Sequence, residues 1–341
     1  MKRGALVGVG NVAVSAHLPG WQGRSGVTLA AAADSQPGGR GAFLNAFPQS
    51  RWYADAEELL EREEIEFVDL CTPPQSHAAL IQKALERGLH VLCEKPLVLS
   101  PSEFAPLASL SRDTQRALVT VHNWKHAPAV RKIGELLKMN VVGDIRKVLW
   151  ETLRTRPAAT ADESANWRTD PATAGGGILV DHGWHALSIL SAWLPGKPRF
   201  VRARLERQGN TPPGIEDTAA VTLDYGAASA EIFLTWTADC RSNRVEIEGT
   251  EGILRLEGGR LDLLAGPPDR ITETWSLPTL AEGSHHPEWF PPVIDGFLEE
   301  STNPSLRGRN LQEAAFCLAV LALARESSRR EGQAVPFTPL Q

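Results

Sequence analysis

The stretch Leu6–Val7–Gly8–Val9–Gly10–Asn11–Val12–Ala13 decides the fold. Its apolar start reads as a buried strand. Its Gly-x-Gly-x-x-Ala ending reads as a turn, and an amphipathic segment with Val14, His17, Leu18 and Trp21 follows. Strand, glycine turn and helix in that order form a dinucleotide-binding fingerprint. Gly8 permits the tight turn, Gly10 leaves the backbone open to a pyrophosphate, and Ala13 lets helix and strand approach. The N–H groups at the helix start, at Asn11 and Val12, then face the phosphates.

The next apolar run, Val27–Ala33, closes on Asp34. An acid about 20 residues beyond the glycines is placed to accept hydrogen bonds from the adenosine ribose hydroxyls. A carboxylate there also repels a 2′-phosphate, so NAD is expected ahead of NADP. Arg40 lies close behind and keeps NADP possible, and a capping role for Asp34 is the alternative reading.

A chain of 341 residues suits two domains. Its net charge of −6 and lack of a basic stripe give nucleic-acid binding little support. Cys71, Cys93, Cys240 and Cys317 are scattered with no metal-ligand spacing, which fits reduced cytoplasmic thiols and no metal. His285 and His286 lack a third ligand at suitable spacing and read as a loop pair. No apolar run reaches 18 residues, so no membrane span is expected, and Lys2–Arg3 lead straight into a strand rather than a signal peptide.

Strand-like and helix-like runs alternate through the first third of the chain. Helices are expected over 57–64, 76–87 and 102–111, and strands over 67–71, 91–93 and 118–121. That alternation predicts an α/β domain over residues 1–122, a Rossmann doubly wound parallel sheet. A helix over 129–139 follows, and then β-rich runs over 145–154, 199–208, 218–223, 230–237, 244–248 and 252–256. Helices over 181–193 and 310–325 accompany them. Residues 123–341 thus read as an α+β domain with a large, mostly antiparallel open sheet, serving substrate binding and oligomerisation.

Two further segments fall where parallel strands end: Cys71–Thr72–Pro73–Pro74–Gln75–Ser76–His77 and Cys93–Glu94–Lys95–Pro96. A third, Gly175–Gly176–Gly177 leading to Asp181–His182–Gly183–Trp184–His185, lies in the second half. With the Gly8–Ala13 turn, His17, Ile215–Thr218 and Val245–Gly252, these segments make nearly the whole chain resemble the Gfo/Idh/MocA oxidoreductases, the glucose–fructose oxidoreductase and inositol dehydrogenase group. The resemblance implies that Lys95 and the Asp181/His185 pair line a substrate pocket beside the nicotinamide, with His185 as acid/base. It implies Lys95 as electrostatic partner and Asp181 as ligand or orienter of a substrate hydroxyl. Thr72, Pro73, Pro74, His77 and Glu94 fall to the cofactor side.

Hydride transfer from an alcohol needs a base for the hydroxyl proton and a cation for the developing oxyanion. Lys95 and His185 supply both, and a neighbouring lysine lowers the histidine pKa. Asp181 and His185, four apart, share a helix face, and Asp181 also suits a helix cap. His182 reads as a neighbour without a role. Trp124 and Lys125 stand where relatives often carry Tyr and Arg, and with Trp167 and Arg168 they are the expected substrate contacts. Arg154 and Arg156 make a weaker case of the same kind. The expected ligand is a sugar or polyol, and the expected assembly a homodimer or homotetramer that covers the open sheet. A redox-assisted glycosidase on the same fold and a non-catalytic dinucleotide sensor are the alternatives.

Overall fold

The computed structural model describes residues 1–158, 166–266, 270–283 and 286–340. Six strands form a parallel sheet: β1 (Lys2–Val7), β2 (Val27–Ala33), β3 (Arg51–Tyr53), β4 (Phe67–Leu70), β5 (His90–Cys93) and β6 (Leu118–Thr120). Their order is β3-β2-β1-β4-β5-β6. Helices cover both faces, which is why β4 is buried throughout rather than alternating.

The register positions the site. Val7 pairs with Ala33 on one side and Leu70 on the other, Leu70 with Cys93, and Cys93 with Thr120. The residues that leave these strands, Asp34, Gly8, Cys71, Glu94 and Val121, therefore stand in one row along the sheet edge. The strand order reverses between β1 and β4, so the row crosses the crevice where ligands bind in open parallel sheets.

The second sheet has nine strands: β7 (Ile145–Leu153), β8 (Phe200–Glu206), β9 (Thr218–Asp224), β10 (Ser229–Thr235), β11 (Ser242–Gly249), β12 (Gly252–Glu257), β13 (Arg260–Ala265), β14 (Arg270–Ser276) and β15 (Val335–Pro336). Only β7 and β10 pair in parallel. Burial alternates along β7, and Val148 and Trp150 point inward with Ile232 and Leu234 of β10. They share one core with Leu187 and Leu190 of the helix Trp184–Trp193 and with Leu318 and Leu321 of the helix Arg309–Arg329. The opposite face carries Leu149, Glu231, Phe233, Glu246 and Arg255, none of them buried.

Near its end the chain returns to the first sheet. Phe290, Ile294 and Phe297, at and within the helix Pro291–Thr302, join Trp21 and Phe67 in one buried cluster. Phe290 also lies 4.0 Å from the His17 ring. Gly20 makes this approach possible, because a Cβ there would meet the Phe290 ring at 2.7 Å.

Candidate active site

The glycine turn is built as close packing requires. Gly8 has φ +84°, and a Cβ there would fall 2.7 Å from the backbone of Cys71 and Thr72. At Gly10 a Cβ would meet nothing within 4 Å, so this face of the turn is open. The Val14 N–H closes the first helical turn on Gly10 O at 3.0 Å, which leaves the N–H groups of Asn11, Val12 and Ala13 without acceptors inside the helix. Asp34 Oδ2 accepts the Val9 N–H at 2.6 Å, and its Oδ1 accepts the Gln36 N–H at 2.7 Å. One carboxylate thus both turns its own loop and fixes the glycine loop. An open backbone cradle at a helix start, flanked by an acid at the end of β2, fits a dinucleotide with a ribose at Asp34.

Below the crevice runs a buried chain of charges. His17 is fully buried, with Nδ1 donating to Asp69 Oδ2 at 2.8 Å and Nε2 donating to Glu94 Oε1 at 3.0 Å. Trp21 Nε1 donates to the same Asp69 oxygen at 2.7 Å. Burial alone would lower the His17 pKa, but Asp69 and then Glu94 outweigh it and lift it to about 9. Burial likewise works to raise the Glu94 pKa, and His17 and Lys95 pull it below the ordinary glutamate value instead. Glu94 Oε2 also accepts the Lys95 N–H at 3.0 Å, so the relay ends at the backbone of Lys95.

Lys95 Nζ donates to both the side chain and the backbone carbonyl of Asp181, at 2.7 Å each. Burial works to raise the Asp181 pKa, but Lys95 foremost and His182 after it hold it well below the carboxylate range. Asp181 is therefore an anion that grips the lysine. It lies in the widened first turn Leu179–Gly183 of its helix, where Ile178 holds the cap position, so the expected capping role is replaced by the ion pair. The glycines before it serve that turn. A Cβ on Gly177 would meet Glu216 O at 1.8 Å, where the Ile178 N–H donates at 3.0 Å. Glu216 Oε1 then accepts the Leu179 N–H at 3.2 Å.

His185 stacks on Trp124 at 4.8 Å with the rings 8° from parallel. Its Nδ1 is buried without a hydrogen-bond partner among the described residues. Burial first, and Lys95 second, hold its pKa well below the ordinary histidine value, so the ring is neutral near pH 7. His182 lies beside it, with Nδ1 3.3 Å from Asp181 Oδ2 but not aligned for a hydrogen bond.

A single cavity brings these groups together. Val12, Thr72, Glu94 and Lys95 line it from the parallel-sheet side, and Trp124, Trp167, Arg168, Asp181 and His185 from the other. Lys125, His77 and Pro74, all expected contacts, lie elsewhere. Lys125 is bound to Glu313 at 2.6 and 2.8 Å and faces a different cavity, because the helix Arg309–Arg329 supplies it a carboxylate away from the crevice. His77 is fully buried, with Nδ1 2.9 Å from Pro96 O and Nε2 2.8 Å from Thr72 O. It ties the Thr72 and Lys95 loops together and has no edge left for a cofactor. Pro74 is also buried, as the first residue of the turn Pro74–Ser76.

The cavity also holds the weaker candidates Arg154 and Arg156 and three residues outside the expected set, His182, Arg241 and His286. Arg154 and Arg156 carried a signal as charges closing a strand. Arg241 carried none, since only the pairing of β11 with β7 brings its loop to the site. His286 stacks on Trp289 at 3.5 Å, whereas His285 lies outside the described residues.

Residues 2–123 match the family model described as an oxidoreductase family with NAD-binding Rossmann fold. Residues 130–255 match the GFO/IDH/MocA C-terminal domain. D-apiose dehydrogenase of Paraburkholderia graminis is 27% identical over 95% of this chain and 88% of its own length. Among solved structures, GenD2 from gentamicin A biosynthesis in complex with NAD shares the fold at TM-score 0.83 and 21% identity, covering 99% of this chain and 96% of its own. An inositol dehydrogenase homolog from Azotobacter vinelandii complexed with NAD+ shares it at TM-score 0.82 and 18% identity, covering 98% of this chain and 97% of its own.

Proposed function

We propose that this chain, which belongs to the Gfo/Idh/MocA family of NAD-binding oxidoreductases, moves a hydride between the nicotinamide and a secondary alcohol or ketone carbon of a sugar, polyol or sugar derivative. The observation that carries the reading is the convergence of Lys95, Asp181 and neutral His185 on the cavity that also opens to the Glu94 edge of the dinucleotide crevice. The likeness to a D-apiose dehydrogenase over 95% of the chain supports the sugar class.

NAD, when bound, supplies the hydride acceptor or donor, and Gly8–Ala13 and Asp34 are the residues that would hold it. The remaining chemistry belongs to the side chains. In the oxidative direction the neutral imidazole of His185 takes the hydroxyl proton as the carbon loses its hydride. A lysine ammonium has three N–H donors. Asp181 engages Lys95 Nζ through two oxygens, which leaves a donor for the substrate oxygen as it gains charge. Glu94, bound to the Lys95 backbone and to His17, fixes that loop from below. Reduction runs through the same groups in reverse, with His185 returning the proton. The buried thiols of Cys71, Cys93 and Cys317 support a reducing, cytoplasmic setting.

Steady-state kinetics on Lys95→Ala and His185→Ala, with NADH binding measured in parallel, tests the assignment. Each substitution is expected to lower kcat roughly a hundredfold or more with NADH affinity changed less than about threefold. Turnover close to that of the unaltered protein in either variant removes that residue from the chemistry.

A further inference from the structure

The cavity carries more positive charge than hydride chemistry uses. Its walls hold Lys95, Arg154, Arg156, Arg168 and Arg241 against only two carboxylates, Glu94 and Asp181. Both carboxylates are already matched, Glu94 by His17 and Asp181 by Lys95. Among the described residues no carboxylate lies within ion-pair distance of any of the four arginines. The arginines sit on the second-domain side of the cavity, across from the glycine turn that would take a pyrophosphate.

Arg154 is the most informative of them. It is 2% exposed, and its guanidinium donates to Leu153 O at 2.8 Å, Ser242 O at 3.0 Å and Asn243 Oδ1 at 2.8 Å. Its Nε is buried with no hydrogen-bond partner among the described residues. Burial foremost, and then Arg241, bring its pKa down to about 10, so it stays charged at neutral pH. Asp181 offsets part of this charge from a distance, but among the described residues no carboxylate touches Arg154, and a buried cation held so is costly unless a ligand supplies the opposite charge. Arg168, half-buried, stacks on Trp167 at 4.3 Å, and its Nε is buried without a hydrogen-bond partner among the described residues. Arg241, exposed on the cavity lining, donates to Ala281 O at 3.2 Å and Gly283 O at 3.1 Å.

From this arrangement we propose that the substrate is an acidic sugar derivative, bearing a carboxylate or phosphate that Arg154, Arg168 and Arg241 bind while a hydroxyl of the same molecule faces Lys95 and His185. The inference rests on the hydride-transfer reading for the position of the reacting hydroxyl. The arginine site makes its own claim about binding. A neutral sugar filling the same cavity would leave Arg154 buried with no carboxylate of the described residues within ion-pair distance.

The test uses the full chain with NADH bound, titrated calorimetrically with D-gluconate, D-glucuronate, D-glucose 6-phosphate, sorbitol and glucose. NAD reduction is followed separately on the oxidisable members. Acidic members are expected to bind at least tenfold tighter than neutral ones, with affinity falling as salt rises. Arg241→Gln, on an exposed residue, and Arg154→Met are expected to raise Kd or KM for the acids tenfold or more with kcat changed far less. The uronate and aldonate arms against the phosphate arm decide which anion is bound. If Arg154→Met fails to fold, Arg241→Gln and Arg168→Gln carry the same readout. Equal or tighter binding of neutral members, or acid affinity unmoved by the arginine substitutions, overturns the proposal and leaves hydride transfer standing. Acid binding at the arginines without NAD reduction by any member overturns the hydride reading instead.

Discussion

His17 lies fully buried between two carboxylates, and the charge it keeps ties stability to pH. Its pKa is about 9 in the fold against 6.5 when free. A group raised in this way contributes its full stability below about pH 6.5 and loses it as pH climbs through 9. Glu94, lowered by the same contact, contributes above its free value of 4.5 and loses its share as pH falls through the depressed one. The joint contribution of these two groups is therefore full between roughly pH 4.5 and 6.5, and the share of His17, up to about 3 kcal/mol, is lost toward pH 9. Chemical denaturation across that range on the unaltered protein and His17→Gln measures it. The account expects a flatter curve on the alkaline side in the variant, and parallel curves would mean that His17 is not charged in the fold. The sequence offered little warning of this residue beyond its place after the glycine turn. Its partners, Asp69 and Glu94, stand 52 and 77 residues away and meet it only because β4 and β5 end in register beside β1.

At the scale of elements, the glycine run before Asp181 is a packing device. Gly177 leaves no room for a Cβ against Glu216 O, and the turn Leu179–Gly183 that follows aims Asp181 at Lys95. Gly177→Ala is expected to cost about 1–3 kcal/mol of stability and to lower kcat by displacing Asp181. Thermal denaturation and kinetics on that variant check both effects, and an unchanged melting temperature would show that the turn yields freely. Most of the first sheet was legible in the chain, because buried parallel strands read as apolar runs ended by Gly, Asp or Pro. The helix expected over 57–64 forms at Ala56–Arg62, and that over 76–87 forms at His77–Glu86. Strands β13 and β14 and the helix Pro291–Thr302 were not legible. The residues of β14 are nearly all exposed, and that helix buries Phe297 against a distant domain, so neither shows a local period. The site followed the same rule. Lys95, Asp181 and His185 stood in dense motifs, whereas Lys125 looked like a substrate contact until the distant Glu313 claimed it.

For the molecule as a whole, the nine-stranded sheet buries one face and leaves the other with Leu149 and Phe233 among charged residues. Phe233 is 38% exposed, unusual for an aromatic near the middle of a large sheet. Light scattering is expected to give a homodimer or homotetramer joined through this face, and Phe233→Arg to shift it toward monomer. A monomer for the unaltered protein would reject that assembly. Hydride transfer at a sugar carbon, served by Lys95 and His185 in the cavity between the two sheets, is the proposed reaction. Its most direct test is NADH absorbance while the NAD-loaded protein meets a panel of sugars, polyols and sugar acids, with Lys95→Ala run in parallel. The account predicts net NADH formation matched by carbonyl product in the unaltered protein and its near-complete loss in the variant. A protein that binds NAD yet forms no NADH with any member, or a variant that keeps full turnover, would contradict it.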